Sequence, residues 1–439
     1  MIWLAFLIGL VILALLTMRF ERADHPYLAA GFVAHQIGAL GMLWFYSAYS
    51  GDMDGYEVSA RNIARLLRDD FGTWAPEVVR LISHQDTRLF LFGMSQVPTT
   101  AAAHGWGGVA QFISGGDSLA AACLVVSAFG FLSKALLFAV IRDVLPPSRR
   151  ALAAYATMLV PSLVFWTCGL VKEAFAMIGL GLLVYGLHRT FSKHRLRMLP
   201  IALAGGAIIA SVKPYILFPA AIAFVAWVFA ARRKRRVTVA QVGVAIAVSF
   251  ACLVALGQIF PQFGIEKVGD SMTAQRRGSE MSGGGSFVGD AGDEEEVQRS
   301  AVGQLAFLPL ALVNALLRPF LFEARSGPQL GAALENTTLF LLVLSLVRRH
   351  RLRDIRRTMM ATPAVLASSV FALTFAAAVG LSSKNLGTLS RYRVPLMPAY
   401  VSAVLILRQR LRDDGALPTT EQLPAKAAAV RRPTAARRR

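Results

Sequence analysis

The chain has 439 residues, 55% of them hydrophobic, and a mean hydropathy of +0.52, more apolar sequence than a soluble domain of this size carries. Its 46 Lys and Arg against 26 Asp and Glu give a formal net charge of +20. In a soluble protein that excess would suggest nucleic acid; here the basic residues cluster at the ends of apolar runs, which marks cytoplasmic loops facing anionic headgroups and argues against a nucleic-acid partner.

A run of roughly 18 apolar residues can cross a hydrocarbon core about 30 Å thick. The runs predict an all-α, polytopic transmembrane helical bundle with about eleven spans. They lie near residues 2–18, 28–49, 119–141, 151–167, 174–187, 200–212, 215–230, 239–259, 330–347, 361–381 and 394–407. The first run lacks a basic leader and a small-residue cleavage site, so it reads as a helix and not as a signal peptide. Two further segments are apolar but interrupted. Residues 89–114 contain Pro98, His104 and several glycines, and residues 305–322 end in Arg318-Pro319. Both are expected to be re-entrant or interfacial, because irregular backbone survives at membrane depth only where protein or water satisfies it.

Orientation follows from Lys and Arg. Clusters at Arg142/Arg149/Arg150, Arg189/Lys193/Arg195/Arg197, residues 232–236, 348–357 and 408–439 fall on one side, which is then cytoplasmic. The N-terminus is placed outside and the C-terminus inside. Residues 1–410 form the membrane domain, with extracytoplasmic loops at 50–118 and 260–300, and residues 411–439 are expected to form a disordered basic cytoplasmic tail. The Gly- and Ser-rich loop with its acidic run at residues 293–296 is expected to act as a lid. Gly283 to Gly285 lack the Lys-Ser/Thr ending of a phosphate loop and read as a hinge. Cys123, Cys168 and Cys252 have no metal-ligand or CxxC spacing.

The unusual polar residues collect on the outer side. Gly51-Asp52-Met53-Asp54-Gly55-Tyr56 follows the second span and leads into a stretch in which Ile63, Leu66 and Leu67 recur at helical spacing between Arg61, Arg65 and Arg68. That pattern predicts an amphipathic helix on the membrane surface. A partly desolvated carboxylate at such a mouth takes a proton from an alcohol, which makes Asp52 and Asp54 candidate catalytic bases. A second set consists of charges with no positive-inside role: Lys172-Glu173, Lys213-Pro214, Arg318-Pro319-Phe320 with Glu323, and Arg391-Tyr392-Arg393. Cations converging on one cavity suit a lipid phosphate or pyrophosphate. Against this stands the ordinary role of such residues, snorkelling or local ion pairing. His84 and His104, as single histidines, read as structural.

On these residues the chain resembles the polytopic bacterial GT-C-type glycosyltransferases and the related polymerases of lipid-linked glycans. Asp52 to Tyr56 resemble the acidic first-loop motif of that class. Pro161-Ser162-Leu163-Val164-Phe165-Trp166 with Gly169, Lys172 and Glu173, then Arg318-Pro319-Phe320-Leu321-Phe322-Glu323-Ala324, then Asn385-Leu386-Gly387-Thr388 with Arg391-Tyr392-Arg393 and Pro395, resemble further segments of such proteins. The resemblance departs in two ways: the acidic motif follows a second span here, and no large soluble C-terminal domain is expected.

The resemblance implies a GT-C-like fold in the bacterial inner membrane and an inverting sugar transfer in cell-surface polysaccharide or glycoconjugate assembly. The donor would be a polyprenyl-phosphate-linked sugar, and a glycan or lipid the acceptor. Asp52 or Asp54 would be the base. Tyr56, Arg61, Lys172, Glu173, Lys213, Arg318, Glu323, Arg391 and Arg393 would bind substrate, with no metal and no cofactor called for. The alternatives are a lipid-linked oligosaccharide polymerase or ligase, and a polytopic transporter or flippase, which would show a polar site at mid-depth.

Overall fold

The computed structural model describes residues 1–49, 51–232, 308–382 and 386–416, with isolated positions at Gly243 and Ala247. The loop expected at 260–300, the tail beyond residue 416 and all but those two positions of the span expected at 239–259 lie outside the described residues. Among the described residues every element is helical.

The helices are α1 (Ile2–Thr17), α2 (His25–Ala48), α3 (Asp52–Asp69), α4 (Phe71–Ile82), α5 (Pro98–Ile113), α6 (Leu119–Arg142), α7 (Arg150–Ala154), α8 (Pro161–Phe165) and α9 (Lys172–Phe191). They continue with α10 (Leu199–Val212), α11 (Leu217–Arg232), α12 (Leu308–Leu317), α13 (Gly327–Arg349), α14 (Leu352–Ala361), α15 (Pro363–Ser382), α16 (Leu386–Tyr392) and α17 (Met397–Ala416). Local chemistry sets many of the starts. Prolines stand in the first turns of α2, α5, α8 and α10, where no intrahelical bond is lost. The Ser118 hydroxyl accepts from Ala121 N at 3.4 Å to cap α6, and Asp70 accepts from Thr73 N at 3.1 Å to cap α4.

Among the described residues six helices are long and apolar enough to cross a membrane: Arg22–Ala48, Leu119–Arg142, Lys172–Phe191, Pro214–Ala231, Gly327–Arg349 and Pro363–Leu381. Ile2–Thr17, Leu196–Val212 and Leu308–Leu317 are apolar but shorter. The chain is therefore compatible with a multi-pass membrane protein. The expected span at 151–167 is not one helix. After α7 come a π turn at Tyr155–Leu159, an extended Val160 (ψ 122°) and the short α8. The cause is Pro161, which disfavours helical backbone in the residue before it. In the segment expected at 305–322 the described residues hold the ten-residue α12, which rises about 15 Å. The last helix runs through Ala416, into the stretch expected to be tail.

Residues 51–113 form a helical cap. The predicted amphipathic helix is present as α3, with Met53, Tyr56, Ala60, Ile63, Ala64 and Leu67 buried. Its apolar face meets protein, however, and does not lie bare toward a membrane surface. Ile63 lies so close to Gly108 of α5 that no side chain fits there, and Leu67 packs with Val78, Leu81 and Leu89.

Ion pairs identify the two ends of the bundle. At one end Arg142 pairs with Asp24 and Arg150 with Glu21, while His188 and Lys193 reach Asp143 at 3.3 and 3.2 Å. Arg410 of α17 donates to Val144 O there at 3.4 Å. At the other end lies the cap, tied to the start of α6 by Arg65 and Arg68, which both bond Asp117. Met1 packs on Gly116 at this end. The N-terminus and the far end of α17 thus lie at opposite ends of the bundle. The helices between approach closely: a Cβ on Gly179 of α9 would stand 2.7 Å from Gly205 O of α10. Such small-residue contacts let backbones touch where lipid supplies no hydrophobic drive between helices.

Candidate functional site

Four chain segments separated by long stretches of sequence meet at the cap end: the start of α3, the start of α9, the turn between α10 and α11, and the end of α16. At their centre is Glu173, fully buried. It accepts from Lys213 Nζ at 2.7 Å and from Arg391 Nε at 2.8 Å. Arg391 turns its Nη1 to Asp52 Oδ2, also at 2.8 Å. The Asp52 side chain is 57% exposed, so this row of charges runs from a sealed interior to an open mouth.

Aromatic rings wall the row. The Lys213 ammonium sits 4.3 Å from the Tyr392 ring centre, and the Arg391 guanidinium 5.8 Å from that of Trp166. The negative faces of these rings favour the cations and keep water away. The Tyr56 ring, buried, meets the His104 ring edge-on at 5.2 Å. Lys172 donates to Thr100 Oγ1 at 2.8 Å and Thr99 Oγ1 at 3.2 Å on α5, and its charge acts on the same group.

Burial works against charge on Arg391, yet Glu173 above all, with Tyr46 and Asp52 after it, holds it protonated well above the ordinary range. Lys213 is likewise disfavoured by burial and then raised by Glu173. Burial pushes the Tyr392 phenol up to about 12 and raises Tyr56 as well. His104 is lowered, first by burial and then by the charge of Lys172, so its imidazole stays neutral. Three cationic side chains, Lys172, Lys213 and Arg391, face two carboxylates, Asp52 and Glu173. The surplus suits one bound anion, and a guanidinium matches phosphate oxygens in a fork.

Of the residues expected from the sequence, Asp52, Tyr56, Lys172, Glu173, Lys213 and Arg391 come together. The rest do not. Asp54 accepts from Gly51 N at 3.1 Å and closes the first turn of α3. Arg61 pairs with Glu57 one turn away. Arg318, Glu323 and Arg393 form a separate group. Arg318 Nε donates to Glu323 at 3.1 Å, and Arg393, only 1% exposed, donates to Arg318 O at 3.1 Å. Glu335 stands 3.9 Å from Arg393 and accepts from the Ser162 backbone and hydroxyl at 2.8 and 2.6 Å. The single phosphate pocket expected from all these cations is therefore divided in two, and Arg393 is closed to solvent. His84 fits the structural reading, with its Nε2 2.7 Å from Ser211 O.

Sequence reasoning missed Thr99, Thr100 and Glu335, which sit in ordinary apolar or loop surroundings. It also missed a buried polar set in the middle of the bundle. Lys134 of α6 donates to His35 Nε2 at 2.9 Å and to Thr167 Oγ1, while His35 Nδ1 donates to Gly31 O at 2.6 Å. The available signals were Lys134 and His35, ionisable residues inside apolar runs.

The chain matches no known protein family, no curated protein and no solved structure. Among the described residues no group of His, Cys, Asp and Glu is arranged to hold a metal ion.

Proposed function

We propose that the protein is a membrane glycosyltransferase of the inverting GT-C type, using a polyprenyl-phosphate-linked sugar on the extracytoplasmic face in cell-surface polysaccharide or glycoconjugate assembly. One observation carries the reading: the solvent-exposed carboxylate of Asp52 is held by Arg391, whose other nitrogen is anchored on buried Glu173.

The anchored guanidinium is the binding group for the donor phosphate, with Lys172 and Lys213 adding charge. A phosphate on Arg391 competes with Asp52 for it. Asp52 then loses its cationic partner and is free to accept a hydrogen bond from the acceptor hydroxyl. The acceptor O–H bond breaks with its proton passing to the Asp52 carboxylate. The freed oxygen pair forms the new bond to the anomeric carbon from the face opposite the phosphate. The old carbon–oxygen bond breaks, and its electrons stay on the leaving phosphate, where the cations stabilise the growing charge. Donor arrival and base activation are thus coupled through one side chain.

The test is turnover of lipid-linked sugar by purified protein. Asp52→Asn should lose about 10²–10⁴ of the rate, the usual worth of a general base. Asp54→Asn should keep most activity, since that carboxylate caps a helix. Full activity in Asp52→Asn would overturn the reading.

One observation favours a second reading, a polytopic transporter or flippase. Lys134 and His35 are both fully buried near the middles of α6 and α2. Ionisable side chains at that depth mark ion or proton pathways. Lipid translocation in proteoliposomes that stops in Lys134→Met, with sugar transfer absent in the wild type, would favour it over the transferase.

A further inference from the structure

An apolar groove with its charged mouth at the basic end opens between α6, α9, α11 and α15. Its walls include Leu137, Leu183, Leu187, Phe224, Trp227 and Ala367. Most of these lie in the half of their helices nearer Asp143, and the lining continues to Ala220 early in α11 and to Pro395 and Pro398 around the start of α17, toward the Arg391 end. The groove's charged mouth, rather than its whole length, lies at the opposite end of the bundle from Asp52 and Arg391.

Its mouth is charged. His188 lines the groove and also reaches Asp143 Oδ2 at 3.3 Å. The same oxygen is 3.2 Å from Lys193 Nζ and 3.7 Å from Arg189 Nη1, and Arg142 stands 3.7 Å from the other carboxylate oxygen. Two permanent cations and an imidazole thus share one carboxylate oxygen. The Arg189 Nε is buried with no hydrogen-bond partner among the described residues. Trp227 and Phe224 stack at 5.9 Å, and Phe224 meets Phe191 at 5.1 Å, so aromatic rings flank the same level as the charges. Rings and cations at one depth beside an apolar slot match the boundary between headgroups and acyl chains.

We propose that this groove binds an anionic glycerophospholipid of the basic-end leaflet, with one acyl chain along Leu137, Leu183 and Phe224 and its phosphate at Arg189, Lys193 and His188. Charge complementarity selects the occupant. A zwitterionic headgroup would bring its own cation to a mouth already rich in cations, whereas an anionic one answers the excess. Position selects it too: the mouth cations Arg189 and Lys193 stand at Asp143, at the other end of the bundle from Arg391. The proposal stands apart from the transferase reading and does not depend on it.

The test is native mass spectrometry of the full chain in detergent, titrated with phosphatidylglycerol or phosphatidylcholine of the same acyl chains. Phosphatidylglycerol should stay bound under activation that strips phosphatidylcholine. The double variant Arg189→Gln/Lys193→Gln should weaken phosphatidylglycerol about 30-fold, the combined effect expected for two headgroup cations. Ala220→Leu/Ala367→Leu, which narrows the groove without touching charge, should weaken both lipids. Equal retention of the two lipids by the wild type needs no variant to fold and would overturn the proposal. So would unchanged binding in both variants, or displacement of phosphatidylglycerol by an equimolar polyprenyl phosphate.

Discussion

Arg391 and Asp52 are 339 positions apart in the chain and 2.8 Å apart in the fold. The same guanidinium bonds Glu173, so one side chain joins an exposed carboxylate to a buried one. The two bonds differ in what they contribute. An exposed ion pair is worth about 0–1 kcal/mol, whereas removing one partner of a buried pair costs about 3–5 kcal/mol. Asp52→Asn should therefore barely move the unfolding midpoint in detergent, while Arg391→Ala lowers it clearly. Equal losses would show that Asp52 is as enclosed as Glu173.

Glu173 is the counter-charge for both Lys213 and Arg391. Glu173→Gln should destabilise by about 3–5 kcal/mol, because buried Lys213 loses this counter-charge and Arg391 keeps only the exposed Asp52. Lys213→Met in that background removes the stranded charge and should recover part of the loss. A double-mutant cycle on thermal unfolding measures the coupling. Strictly additive single effects would mean that the two side chains do not interact.

Asp143 supplies a pH test. Burial alone would raise its carboxyl, but hydrogen bonds from His188 and Lys193 and the charges of Lys193 and Arg189 hold it well below the ordinary carboxylate range. A group depressed in the folded state stabilises above its unfolded pKa, about 3.9, and that contribution is lost as pH falls through the lower folded value. The stability gap between wild type and Asp143→Asn should be constant from pH 7 to about 5 and close progressively below about 4. A gap that opens on acidification would reverse the sign of the argument.

Helix approach provides a packing test. A Cβ at Gly179 would meet backbone of α10 at 2.7 Å, whereas one at Gly206 meets nothing within 4 Å among the described residues. Gly179→Ala should cost about 1–3 kcal/mol by forcing α9 and α10 apart. Gly206→Ala should be neutral or gain up to about 1 kcal/mol, as expected for glycine replaced in a helix interior. Chemical unfolding of the two variants separates steric loss from propensity gain.

Much of the fold was legible because its signals are local. Apolar length marked α2, α6, α9, α11, α13 and α15, and helical spacing of Ile63, Leu66 and Leu67 marked α3. The break at Val160 was also within reach, since Pro161 is in the sequence, but the apolar composition of residues 151–167 outweighed it. What composition lacked was the covering of α3 by α5, which depends on Gly108 meeting Ile63 across 45 positions.

By itself the sequence determined which segments are helical and apolar, where cations gather at helix ends, and that Asp52, Lys172, Glu173, Lys213 and Arg391 are polar residues in unusual company. Only the tertiary structure decided who meets whom. Arg391 and Arg393 lie in one tripeptide and carry the same charge, yet one bonds Glu173 and Asp52 while the other bonds Arg318 O beside Glu335. Side chains two positions apart on a helical turn point to roughly opposite sides, so their partners come from whichever helices pack on each side. An ion pair is set by distances of a few ångströms, and those arise when helices pack, not from spacing along the chain.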